Sequence, residues 1–281
     1  MQFEIQANLT YDFATPCEVL LLLEAAHGYG QTVHREALRF SPLAEVVRID
    51  DEMSGERRVV FTAHGQVEID YTAKVEIAPR VWDLQDARMM AVRDLPSEAL
   101  PYLRASRYCP SDRFESFVER EFAALSGGAK VQAILAWIAA HVDYRPGVSD
   151  SSTTARDTFV DRAGVCRDFA HLAITLCRAA DIPARAVSAY AWKLEPADLH
   201  AVAEVYLGGC WRLIDPTGKA PIDGLVRVAT GRDAADIAFM TIFGKARLMT
   251  QSFAIIRSAP NDQCSEVDAS TSARAMTGRA R

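Results

Sequence analysis

The chain has 281 residues, room for one large domain or two ordinary ones, and carries a formal charge of -6. With 49% apolar and 24% charged residues it has the balance of a globular protein. The acidic charge gives no electrostatic reason to expect nucleic acid or an anionic membrane as a partner.

No apolar run approaches the length of a membrane-spanning helix. Met1-Gln2-Phe3-Glu4 lacks the basic-then-apolar pattern of a secretion signal, so a cytoplasmic protein is expected. The cysteines, Cys17, Cys109, Cys166, Cys177, Cys210 and Cys264, show no C-x-x-C pair and no zinc spacing. Free buried thiols and no metal are the expectation.

The first segment reads as strand. Phe3, Ile5, Ala7, Leu9, Tyr11 and Phe13 alternate with polar residues, and so do Val67, Ile69, Tyr71, Ala73, Val75 and Ile77. Residues 19–23 and 57–63 are further strand candidates. An antiparallel sandwich over 1–95 is predicted. A linker over 80–96 follows, then a short helix capped by Ser97. Helices are predicted from about 113 to 125, from 130 to 142 and from 155 to 162, with Gly127-Gly128 as a break between the first two.

Residues 166–180 form a helix that is apolar over most of its surface, with Arg167, His171, Thr175 and Arg178 as a polar stripe. Strands return over 184–192, 201–207 and 211–214, the last two joined by Gly208-Gly209, and a last strand is predicted near 248–256. The second domain, 96–257, is α+β. The tail from 258 is rich in Ser, Ala, Thr and Arg and reads as disordered.

Cys166 sits at the first turn of its helix, where unpaired N–H groups and the macrodipole favour thiolate. A nucleophilic cysteine needs a base in reach and a third group to fix the base. His200 opens one strand and Asp215 follows the next, so a hairpin through Gly208-Gly209 brings the two together. His171, Cys177 and Cys210 read as core. Arg167 and Asp168 read as cap or salt-bridge residues. His27, His34 and His64 have no identifiable partner. Trp192 and Tyr144 could line a groove, although an aromatic ending a strand is ordinarily packing.

The three blocks Gly-x-Cys-Arg-Asp-Phe-Ala-His, His-Ala-x-Ala-Glu-Val-Tyr and Trp-Arg-x-x-Asp-Pro-Thr occur in this order. With them the chain resembles the bacterial transglutaminase-like superfamily, over about residues 1 to 257. The resemblance implies a papain-like core behind an N-terminal β-sandwich. It implies Cys166 as nucleophile, His200 as base and Asp215 as its orienter, and no cofactor. The family usually carries Trp two residues after the histidine; Val202 stands there, on the His200 face of the strand, and is expected to reshape the groove.

The implied activity is acyl transfer from a peptide or isopeptide amide through a thioester, with hydrolysis ahead of transamidation. The substrate-binding expectation falls on Tyr144, Trp192 and Val202. The expected partners are a peptide or protein substrate and a protein docked on the sandwich. A non-catalytic scaffold is the alternative of another class.

Overall fold

The computed structural model describes residues 1–51, 54–80 and 83–258. The expected disorder of the tail and the sixth cysteine, Cys264, therefore fall outside the described residues.

Two long strands organise the first sheet. β1 (Gln2–Leu21) and β4 (Arg57–Ile77) run antiparallel over almost their whole length. Their period-two pattern buries one face: Phe3, Ala7, Leu9, Ile69, Tyr71 and Val75 are each at most 1% exposed. Burying a large apolar side chain of this kind contributes roughly 1.5–3 kcal/mol.

The ladder breaks where Phe13 pairs with Gly65 and Cys17 with Ala63. Ala14, Thr15 and Pro16 there oppose His64 alone, and Pro16 could not have donated to a ladder anyway. β2 (Gln31–Ser41) and β12 (Arg247–Ser258) flank one side of this bulge. β3 (Val46–Asp50) and β11 (Met240–Phe243) flank the other.

The halves fold toward each other, with the rings of Phe40 and Phe61 4.8 Å apart. The sandwich the pattern predicts is built from one hydrogen-bonded sheet, because β1 and β4 pass through both halves. Residues of β11 and β12, expected with the second domain, pair with β1 and belong to this first sheet.

The intervening chain supplies the helical layer and a second sheet. The helix predicted after Ser97 is a 3₁₀ turn, Leu100–Leu103. α1 (Glu115–Phe122) and α2 (Gly127–His141) follow. The glycine pair opens α2 rather than merely separating it from α1, and the Gly128 N–H donates to the Ala87 carbonyl at 2.8 Å.

β5 (Asp143–Tyr144) and β6 (Ala163–Gly164) form a short parallel pair on either side of α3 (Ala155–Asp161). α4 (Cys166–Ala179) then packs on β7 (Ala184–Ala191) and β8 (Leu199–Leu207). These two strands, β9 (Cys210–Ile214) and β10 (Leu225–Gly231) form an antiparallel sheet in the order β10-β7-β8-β9, and α5 (Ala234–Ile237) follows. Among the described residues no single helix is long and apolar enough to cross a membrane.

Buried polar groups join the two sheets. The Gln31 amide donates to the carbonyls of Ala26 (2.6 Å) and Arg227 (2.9 Å) and accepts the Arg227 N–H (3.0 Å). Glu56 accepts both the N–H and the hydroxyl of Thr230, at 2.7 and 2.9 Å. Glu204 is 0% exposed and accepts from Arg185 and Arg227, each at 2.8 Å through Nε. Arg227 also reaches the Tyr29 carbonyl at 3.1 Å. Each buried charge thus has a partner, as burial demands.

Candidate active site

Cys166 is the first residue of α4 and is partly exposed. Val165, which precedes it, has no side-chain acceptor for the helix N-terminus. Asp168 serves instead: its Oδ2 accepts the Val165 N–H at 2.8 Å, the return half of a capping box. A Cβ at Gly164 would lie 2.6 Å from the Asp168 Cβ, so this cap needs glycine before it. Arg167 spans from the Asp168 carboxylate (3.3 Å) to the Asp150 carbonyl (2.5 Å). Arg167 and Asp168 therefore build the helix start, as their sequence positions suggest.

His200 lies near the start of β8, and Asp215 just beyond the end of β9. The hairpin register pairs Leu207 with Cys210 and Ala203 with Ile214, around Gly208 and Gly209, which both have positive φ. Continued, it sets Thr217 opposite His200. The chain leaves the ladder at Asp215 and turns back, which brings the Asp215 Oδ2 to 3.1 Å from His200 Nε2. Thr217 Oγ1 lies 3.3 Å from the same nitrogen and donates to the Asp215 Oδ1 at 2.8 Å. The N–H groups of Thr217 (2.9 Å) and Ala220 (3.0 Å) also donate to the carboxylate. Although burial alone would raise the Asp215 pKa, His200 first, through its hydrogen bond and charge, and then the Thr217 hydroxyl and the Ala220 N–H hold it below the ordinary carboxylate value.

Burial alone would lower the His200 pKa. Its hydrogen bond to Asp215, and its interactions with the Asp215 and Cys166 charges, outweigh that and raise it to about 9. Nδ1 of the ring is buried and has no hydrogen bond of good geometry. The structure thus brings Cys166, His200 and Asp215 together from three separate elements.

The parallel pairing of Tyr144 with Gly164 sets Tyr144 beside Cys166. Burial, then the Cys166 thiol, push the Tyr144 hydroxyl above its ordinary pKa, while the Cys166 N–H acts the other way. The Lys219 ammonium sits 4.4 Å from the Tyr144 ring centroid.

Of the other two expected groove residues, Val202 is covered and Trp192 is partly exposed. Val202 is 0% exposed, in a cluster with Val187, Leu194, Leu213, Ala220 and Leu225. It shares the His200 face, but neighbouring side chains cover that face at its level. Trp192 packs against Phe3 of β1, with ring centroids 5.9 Å apart, and so joins the two sheets.

His171 is a core histidine: its Nε2 accepts the Ala234 N–H at 3.1 Å and its ring stacks on Tyr108. Burial lowers its pKa to about 4. Cys177 is buried, whereas Cys210, expected in the core, is exposed where β9 begins at the hairpin turn. His34 has a partner after all, Glu76 at 2.9 Å. Sequence reasoning missed Thr217, whose signal was its place in the Asp-Pro-Thr block. Among the described residues no group of three or more His, Cys, Asp or Glu side chains could hold a metal ion.

This geometry has counterparts among known proteins. Residues 117–216 match the model of the Transglutaminase-like superfamily. The chain superposes on a proposed cysteine protease from Cytophaga hutchinsonii with a TM-score of 0.88 and 38% identity, covering 93% of this chain and 92% of that one. An uncharacterized protein of Mycobacterium leprae (strain TN) is 31% identical over 163 residues, and the match spans 54% of this chain and 57% of that protein. The chain belongs to the transglutaminase-like superfamily.

Proposed function

We propose that the protein is a thiol acyl-transfer enzyme that cleaves peptide or isopeptide amides. Cys166 is its nucleophile, His200 its base and Asp215 the group that orients the base. The observation that carries this reading is the buried bond between His200 Nε2 and Asp215. It fixes the ring so that Nδ1 is the nitrogen left for the Cys166 thiol. The similarity to a proposed cysteine protease supports the same chemistry.

In this mechanism the Cys166 thiol passes its proton to His200, and the sulfur attacks the amide carbonyl carbon. The developing oxyanion takes hydrogen bonds from the Tyr144 hydroxyl of β5 and from the Cys166 N–H at the start of α4, which turns to it from the Tyr144 oxygen. The C–N bond then breaks, His200 protonates the departing amine, and a thioester remains on Cys166. Water resolves the thioester to an acid; a second amine would resolve it to a new amide.

Incubation with a peptide library, read by mass spectrometry, tests this. The wild type should release peptide or amine products, and Cys166→Ala should release none while keeping its circular dichroism spectrum. Product formation by a folded Cys166→Ala protein would overturn the assignment.

A further inference from the structure

Asp198 stands two residues before His200, where the chain enters β8. An extended chain sets such residues on one face. Its Oδ1 accepts the Leu199 N–H at 2.7 Å and the Gln251 side-chain amide at 3.3 Å. Both bonds go to one oxygen, and among the described residues Oδ2 has no hydrogen bond. Gln251 belongs to β12, so the strand that returns to the first sheet holds this carboxylate beside the candidate site. Asp198 is exposed, and its charge reaches both His200 and the Tyr144 hydroxyl, the two groups that flank Cys166. A charge of opposite sign, the Lys219 ammonium, lies over the Tyr144 ring.

We infer that Asp198 forms an amine-side subsite, which binds a cationic group carried by the amine that leaves or attacks the thioester. The inference rests on the thioester reading above. His200 hands a proton to the departing amine, so the amine portion of the substrate lies on its side, where the free Oδ2 can bind a second ammonium. By microscopic reversibility the same place receives an attacking diamine. Its reacting ammonium first gives one proton to bulk water. The nitrogen lone pair then attacks the thioester carbonyl, the C–S bond breaks, the second proton passes to His200, and thiolate is released. The non-reacting ammonium stays on Asp198.

The test acylates Cys166 with an activated ester and compares trapping by cadaverine and by n-pentylamine, which differ by one ammonium. Exposed ion pairs of this kind should make the wild-type preference for cadaverine, counted per amino group, about fivefold. In Asp198→Asn the preference should fall to about one, and in Gln251→Ala it should fall part of the way. The ratio is read within each protein, so a change in overall rate does not enter it. Equal trapping in the wild type, or a preference that survives Asp198→Asn, overturns the subsite. Failure to acylate Cys166 at all overturns the thioester reading and the subsite with it.

Discussion

The charge equilibrium of His200 is displaced by its surroundings, and the displacement has a sign that experiment can read. Its pKa is raised to about 9, from an ordinary value of about 6.5. The stability this brings is complete below the unfolded value and is lost as pH rises through about 9. Asp215 works in the opposite sense: its pKa is lowered, so its contribution is present above about 3.9 and is lost on acidification.

Thr217 joins both residues. In Thr217→Val the hydroxyl's contacts with His200 and Asp215 disappear while the backbone N–H still donates to Asp215, and kcat should fall about tenfold while the fold persists. A kcat unchanged by the substitution would make Thr217 a spectator. The meeting of His200 with Asp215 was legible in the sequence because one short hairpin carries it. Val202 was misread because strand alternation tells which face a side chain takes and not what covers that face.

The start of α4 depends on a close approach rather than on a strong capping residue. Gly164→Ala puts a Cβ against Asp168, and overpacking of this kind costs roughly 1–3 kcal/mol. A lower urea midpoint together with slower thioester formation is the expected result, because the Val165–Asp168 cap and the orientation of Cys166 fail together.

α4 was legible from its apolar run, and His171, Thr175 and Arg178 of its polar stripe prove to be buried, Arg178 donating to the carbonyls of Ala184, Arg104 and Arg232. β3 was not legible, since an edge strand exposed along most of its length shows little alternation. β10 escaped for the opposite reason. All seven of its residues are buried, and a short run without a polar face gives no period.

The molecule is closed by contacts that link residues far apart in sequence, and no local pattern announces them. The return of β12 to β1 is such a pairing, and the ion cluster around Glu204 is another. Glu204→Ala would strand Arg185 and Arg227 without their buried anion, which costs about 3–5 kcal/mol. Urea denaturation should show that loss, and a midpoint equal to the wild type would contradict it.

The account depends most on a long-range meeting, that of Cys166 with His200 across α4 and β8. Iodoacetamide labelling at pH 6.5, mapped by mass spectrometry, tests it directly, with exposed Cys210 as the reference thiol in the same chain. Cys166 should label about tenfold faster than Cys210 in the wild type and at a comparable rate in His200→Ala. Equal labelling of the two cysteines in the wild type, or a Cys166 advantage that survives His200→Ala, would contradict the account.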